Sequence, residues 1–138
     1  IIYFGNLGGN MFKLDISDPL TSTWIPQIIF RENDTDQPIY LSPSVSYDQC
    51  YKLWIHFGTG NRVHPQDGPA GRFIALRDDT SIPSTGAVRN TNLQQLSWTG
   101  DIMGETNITA ANGWYFNFPD ETEAHERGLR CRRKILGR

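Results

Sequence analysis

The feature that most constrains the fold is a hairpin pattern at the start of the sequence, IIYFGNLGGNMFKLDIS. Residues 1–4 are apolar and predict a strand, and residues 5–10 predict a turn because Gly and Asn tolerate positive φ. Residues 11–16 alternate between two faces, with Met11, Lys13 and Asp15 on one and Phe12, Leu14 and Ile16 on the other. A period of two is typical of a half-buried strand, so the whole segment predicts a β-hairpin.

The strand-and-turn pattern continues along the chain. Further strands are predicted in the apolar patch from Trp24 to Phe30, at residues 38–48 with a break at Pro43, and at residues 51–60, 72–79 and 113–118. The segment at 51–60 is the clearest, because Leu53, Ile55 and Phe57 share a face opposite Lys52, Trp54 and His56. No segment shows an amphipathic helical stripe, and 13 glycines and 8 prolines are spread along the chain. These observations predict an all-β fold.

Two long polar connections separate the strands. Residues 58–71 form a loop rich in Gly and Pro, and residues 80–112 are weakly periodic with one short strand near residues 96–98. Loops above about 12–15 residues are uncommon in compact domains unless they are functional or disordered. The two connections therefore predict inserts on a larger scaffold.

Charge and cysteine content exclude some classes of protein. The net charge is −2, which argues against a nucleic-acid binder. No apolar stretch reaches the length of a membrane span, so none is predicted. Cys50 and Cys131 are far apart and form no CxxC motif. This spacing is compatible with a single disulfide in an oxidising compartment and equally with two unpaired thiols, so it does not indicate the compartment.

The motifs that suggest a ligand are weak. GNLGGN and GTGNRV lack the spacing and the following helix of a nucleotide loop, so turn glycines are favoured. Asp34 and Asp36 are spaced as in a calcium loop, but Pro38 stands at the third ligand position and no acid closes the loop. Histidines 56, 64 and 125 show no zinc spacing. Asp78 and Asp79, which follow a strand, favour a turn or cap role over a cation site.

No residue set predicts catalysis, since the chain has no nucleophile elbow. Catalytic, cofactor-binding and metal-binding residues are therefore not assigned. The sequences beginning at Asn33 and Asn107 match the glycosylation sequon, which often occurs by chance. The basic residues near the C-terminus predict a solvated or disordered end, and they are Arg130, Arg132, Arg133 and Lys134.

Five short motifs occur in a fixed order, which is more specific than any one of them. They are IIYFGNLGGNMFKLDISDP with a following Trp, QPIYLSPSVS, KLWIHFGTGNR, RFIALRDD, and NGWYFNF with a following ER. In this order they resemble the C-terminal propeller of the PilY/PilC family of type IV pilus assembly and tip-adhesin proteins. The matches run from Ile1 to about Arg127. Asn6 stands where the family has Asp, and Ile74 stands where the family has Tyr.

The resemblance implies a partial β-propeller over residues 1–127, with roughly two to three blades of antiparallel sheet and long loop inserts. Residues 128–138 then form a basic tail, truncated or divergent, because the family usually continues there with an apolar strand. Calcium occurs in some family members, but its loop is not recognisable here, and no cofactor is predicted.

The function implied by the resemblance is non-enzymatic. The chain would support pilus assembly and surface attachment at the cell surface or in the extracellular space, associated with the pilus. Its partners would be minor pilins, other blades or chains that complete the propeller, and a host or abiotic surface. The element GNMFKLD with its following Trp also resembles the blade repeat of quinoprotein (PQQ-dependent) dehydrogenases. A fragment of such an enzyme is the alternative, and a purely structural repeat is a third interpretation.

Overall fold

The computed structural model describes residues 1–34, 37–61, 63, 69–78, 87–99, 102–103 and 108–118, and these build two larger sheets. Sheet A has the order β1-β2-β3-β7, formed by Ile2–Gly5, Asn10–Leu14, Gln27–Arg31 and Val88–Arg89. Sheet B has the order β4-β5-β6-β11-β8, formed by Ser44–Tyr47, Leu53–Thr59, Arg72–Asp78, Gly113–Asn117 and Gln94–Gln95. The strands β9 (Trp98–Thr99) and β10 (Ile102–Met103) make a separate pair.

The prediction of an all-β fold is confirmed, because the only helical segments in the described residues are single 3₁₀ turns at Thr21–Thr23 and Asn90–Asn92. The prediction of purely antiparallel sheets is wrong, since β7 pairs parallel to β3 and β8 pairs parallel to β11. These two-residue strands lie within residues 80–112, where the weak periodicity predicted only one short strand. Residues 38–43, which were predicted as part of a strand, form none. Near the short strand predicted at residues 96–98, β8 ends just before Leu96 and β9 begins at Trp98.

The core lies between sheets A and B, which pack face to face. Phe30 of sheet A meets Phe57 of sheet B edge to face, with ring centroids 5.4 Å apart. The prediction that Leu53, Ile55 and Phe57 share the apolar face is confirmed, because Ile55 and Phe57 are buried. The buried core cluster comprises Met11, Phe30, Ile39, Ile55, Phe57, Ile74, Leu76 and Leu93.

The face of β2 that enters the core carries Met11 and Lys13. Met11 is fully buried, whereas Phe12 stacks on Phe4 on the opposite face of sheet A. The predicted alternation is therefore confirmed. The buried face is the less apolar of the two, since it carries Lys13, and the outer face of sheet A is apolar as well. Lys13 can be buried because a charged residue of sheet B pairs with it.

That partner is Asp78, at the end of β6. Its Oδ2 accepts hydrogen bonds from Lys13 Nζ at 2.6 Å and from Tyr3 Oη at 2.5 Å. The side chains of Lys13 and Asp78 are only 15% and 8% exposed. The predicted turn or cap role of Asp78 is wrong, because the carboxylate joins the two sheets and neutralises the one charge on the buried face of β2. Burial, with the adjacent Asp78 carboxylate, raises the pKa of Tyr3.

The hairpin at residues 1–16 forms as predicted, with β1 antiparallel to β2 and Ile2 opposite Leu14. The side-chain oxygen of Asn6 accepts hydrogen bonds from the N–H groups of Gly8 and Asn10, both at 3.0 Å. Gly9 has a φ of 71°, and a Cβ there would lie 2.8 Å from the carbonyl oxygen of Gln37. The glycines therefore serve the turn, as the sequence favoured, and Gly9 also permits a close backbone contact that the sequence did not predict.

We predict that Asp78→Ala lowers the free energy of unfolding by about 3–5 kcal/mol, because the change leaves the Lys13 ammonium buried without its partner. Urea denaturation followed by tryptophan fluorescence measures the change. Asp15→Ala, which removes an exposed carboxylate directly after β2, is the control and should change stability by less than about 1 kcal/mol. Equal effects of the two substitutions would contradict the role of Asp78.

Candidate functional site

Three surfaces hold the side chains that a function would use. The polar end comprises Glu32, Asp34, Gln37, Arg72 and Asn117, where the loops after β3 and β5 meet. The aromatic face is the outer side of sheet B and comprises His56, Phe73, Trp114, Phe116 and Phe118. The apolar face is the outer side of sheet A and comprises Ile2, Phe4, Phe12, Leu14 and Ile28.

Gln37 holds the loops of the polar end together. Its side chain is 2% exposed, and its Oε1 accepts a hydrogen bond from Thr59 Oγ1 at 2.6 Å. Its Nε2 donates to the carbonyl oxygens of Pro69 and Ala70 at 3.2 and 3.0 Å. Both ends of the long β5–β6 connection are thereby bound to the segment that links sheet A to sheet B. Such a buried and fully bonded amide fixes the loops in one arrangement.

Arg72 is the charged centre of the polar end. Its guanidinium contacts Glu32 at 2.7 Å and Asp34 at 2.5 Å, and its Nε donates to Asn117 Oδ1 at 3.0 Å. The guanidinium carbon also lies 5.7 Å from the centroid of the Tyr115 ring, within cation–π range. Burial alone lowers the pKa of Arg72, but Asp34 and Glu32 outweigh it and raise that pKa.

These contacts define what the polar end can do chemically. The Glu32 side chain is fully buried, and among the described residues its Oε2 has no hydrogen-bond partner. Asp34, from the segment with calcium-like spacing, directs its carboxylate to Arg72, and Asp36 lies outside the described residues. The one guanidinium is thus shared by two carboxylates, and these contacts join the two sheets.

The aromatic face consists of rings stacked across neighbouring strands. Phe73 on β6 lies 5.8 Å from Trp114 and 5.5 Å from Phe116 on β11, between ring centroids. Trp114 and Phe116 are 6.3 Å apart and only 15° from parallel. The sequence predicted both strands, but only their pairing brings these rings together. Such a surface can bind a flat apolar partner, and it contributes contact area rather than chemistry.

His56 extends the aromatic face toward β4. Its ring stacks on Phe73 with centroids 6.1 Å apart, and its Nε2 lies 2.9 Å from Ser46 Oγ. Partial burial lowers the pKa of His56 below its ordinary value, because desolvation disfavours the imidazolium ion. His64 and His125 lie outside the described residues.

The apolar face leaves large side chains in contact with solvent. Phe4 and Phe12 stack with centroids 5.1 Å apart and planes within 7°, and Ile2 is 45% exposed. In a two-sheet sandwich the outward residues of each strand are polar. Sheet A departs from that rule, because strands β1, β2 and β3 present apolar side chains on both of their faces.

The described residues include no group of three or more His, Cys, Asp or Glu side chains placed to hold a metal ion. Within the same residues, no helix is long and apolar enough to cross a membrane. Cys50 is exposed and forms no disulfide within the described residues, and Cys131 and the basic tail lie outside the described ranges. Comparisons of the chain with family models, with curated proteins and with solved structures found no match.

We predict that Arg72→Met lowers the free energy of unfolding by about 3–5 kcal/mol, because it leaves the buried Glu32 carboxylate unpaired. Chemical denaturation gives the value. Arg31→Met removes an exposed arginine beside Glu32 and should have an effect of at most about 0.5 kcal/mol. Adding Glu32→Gln to Arg72→Met should recover part of the loss, and the absence of recovery would contradict the assigned pairing.

We predict that stability decreases as the pH falls below about 6.5, the ordinary pKa of His56, because the unfolded chain takes up a proton that the folded chain resists. The His56→Gln variant should lose part of this pH dependence. NMR titration of the imidazole measures the pKa of His56 directly. A value at or above 6.5 in the folded protein would contradict the prediction.

Proposed function

We propose that this chain is a non-enzymatic module of a β-propeller scaffold that supports type IV pilus assembly and surface attachment. The observation that carries the proposal is the ordered set of motifs, together with the positions that they take in the fold. The module acts through contacts with minor pilins and with a surface, at the cell exterior, and the loops at the ends of the sheets provide those contacts.

The motifs that carry the resemblance meet at the polar end. Ile39 of QPIYLSPSVS donates its N–H to the Asn6 carbonyl oxygen of the first motif at 2.9 Å. Gly60 of the FGTG segment donates its N–H to the Pro38 carbonyl oxygen at 3.0 Å. Phe118 of the last motif donates its N–H to the carbonyl oxygen of Gly71, the residue directly before RFIALRDD, at 2.8 Å. Motif residues that bond to one another support a shared scaffold more strongly than separate short matches do.

The departure at Asn6 is compatible with the scaffold. The family has Asp at this position, and a carboxylate oxygen would accept hydrogen bonds from backbone N–H groups at the turn. The amide oxygen of Asn6 accepts two such bonds, from Gly8 and Asn10, without adding a charge. The substitution therefore preserves the turn.

The arrangement of the sheets supports a propeller-type stack. Strands β1-β2-β3 form one antiparallel up-and-down sheet, and β4-β5-β6 begin a second one that packs against it. Blades of a propeller are four-stranded sheets that follow one another along the chain. A blade has a neighbour on each side, and the apolar face of sheet A provides the hydrophobic surface for a further sheet.

We predict that deletion of the gene reduces the number of surface pili and weakens surface attachment, because the scaffold that presents the loops is lost. Electron microscopy counts the pili, an adhesion assay measures attachment, and a pull-down with minor pilins tests the contact. Pili and attachment at the parental level would contradict the proposal, as would the absorbance of a bound quinone in purified full-length protein.

A matched pair of variants tests whether piliation depends on the buried contacts of the polar end. Complementation with Gln37→Leu, which breaks the buried amide contacts of the polar end, should restore fewer pili than the wild-type gene. Complementation with Gln49→Leu makes the same chemical change at an exposed position and should restore pili fully.

A further inference from the structure

Strand β4 forms an uncovered edge of sheet B. All four residues of Ser44–Tyr47 are exposed, with Val45 at 54% and Tyr47 at 70%. Its one partner strand in the described part of the chain is β5, with Val45 opposite Ile55. Proteins protect such edges with short strands, lysines, prolines, bulges or inward-pointing charges. Strand β4 is short, with four residues, but SVSY contains no lysine, proline, bulge or charge. The edge therefore presents a template for another strand.

The hydrogen-bonding groups on this edge follow from the register. The Asp48 N–H donates to the Lys52 carbonyl oxygen at 3.0 Å, so Asp48 and Lys52 form a hydrogen-bonded pair. Bonded and non-bonded pairs alternate along an antiparallel ladder. Ser46 and Ser44 are therefore the residues that bond to β5. The N–H and C=O groups of Val45 and Tyr47 point away from the sheet.

We propose that this edge pairs with β4 of a second copy of the chain, antiparallel about a two-fold axis at Ser46. In this register Val45 lies opposite Tyr47 of the partner subunit, and the two residues exchange both main-chain hydrogen bonds. The symmetry repeats the exchange, which gives four bonds and joins the two copies of sheet B into one continuous sheet. Two-fold pairing of identical surfaces is the commonest form of oligomer.

The side chains of β4 fit this partner. An aromatic residue opposite a β-branched residue is a stabilising cross-strand pair, and Tyr47 opposite Val45 supplies two of them per dimer. Ser46 meets itself in a non-bonded pair, where the Cα atoms approach to about 4.5 Å and small side chains fit best. Ser44 lies opposite Asp48 of the partner subunit. No position in the register sets like charges or two bulky groups against each other.

The test is the oligomeric state of the full 138-residue chain, measured by analytical ultracentrifugation over a concentration series up to about 1 mM. The wild-type chain should form dimers. Ser46→Lys places two ammonium groups opposite each other at the axis and should raise the dimer Kd at least about fivefold, or about 1 kcal/mol. Ser44→Lys adds the same charge on the same face, opposite an aspartate, and should leave the Kd within about twofold.

Two further variants separate the effect of the added charge at residue 46 from the loss of the serine and test the main-chain hydrogen bonds directly. Ser46→Ala loses the contact with His56 but adds no charge, so it should dimerise like the wild type. Val45→Pro removes an N–H that points away from β5, and thus two of the four bonds in the dimer, and should be monomeric where the wild type is dimeric. Near-UV circular dichroism verifies that each variant is folded.

Hydrogen exchange locates the interface. The amides of Val45 and Tyr47 should become protected as the concentration of the chain rises. A wild-type chain that stays monomeric at about 1 mM would overturn the proposal. The proposal would also be overturned if Ser46→Lys and Val45→Pro both dimerised with the wild-type Kd, since the contact would then lie elsewhere, for example on the apolar face.

Discussion

The arrangement of the two sheets depends on the buried side chain of Gln37. The segment that carries the chain from sheet A to sheet B passes through this residue, and its amide bonds to Thr59, Pro69 and Ala70. An amide buried without these partners would cost several kcal/mol, so the loops cannot separate from Gln37 without loss of stability. The neighbouring Gly9 admits the Gln37 carbonyl oxygen, because it has no Cβ to occupy that space.

Two charge pairs between the sheets lie at opposite ends of the seven-residue strand β6. Arg72 meets Glu32 at one end, and Asp78 meets Lys13 at the other. The interior of the strand between them contributes Ile74 and Leu76 to an apolar core. A buried ion pair is a weak source of net stability, but loss of one partner is costly. A shifted register between the sheets would therefore be costly, because it would leave buried charges unpaired.

The outer faces relate this fold to the proposed function. A sheet that is apolar on both faces has its lowest free energy between two other layers, since burial of apolar area is the main favourable contribution to packing. Sheet A meets this description on β1, β2 and β3, and sheet B carries stacked aromatic rings on its outer side. The same two sheets that form the core are thus suited to a series of stacked sheets, and the β4 edge offers a separate contact in the plane of sheet B.

The sequence by itself determined the elements and their local chemistry. Alternation in the strands predicted the first hairpin, β5, β6 and β11, because a period of two is a property of the extended backbone. The Gly and Asn residues between residues 5 and 10 predicted the turn, because positive φ is a local requirement. The lack of a convincing metal or nucleophile motif also came from local spacing. None of these inferences requires knowledge of which strands are neighbours.

The tertiary structure decided what depends on contacts between distant residues. Alternation separates Met11 and Lys13 from Phe12 and Leu14, but only the position of Asp78 on sheet B shows that the first face is buried. Asp78 could be interpreted locally as a cap, and its role as an inter-sheet acceptor exists only after β2 and β6 pack together. The parallel strands β7 and β8 are two residues long, so neighbouring strands rather than their own sequences define them. Strand pairing and sheet packing depend on contacts between distant residues. A single sequence predicts them only where such contacts also leave a local pattern in the chain.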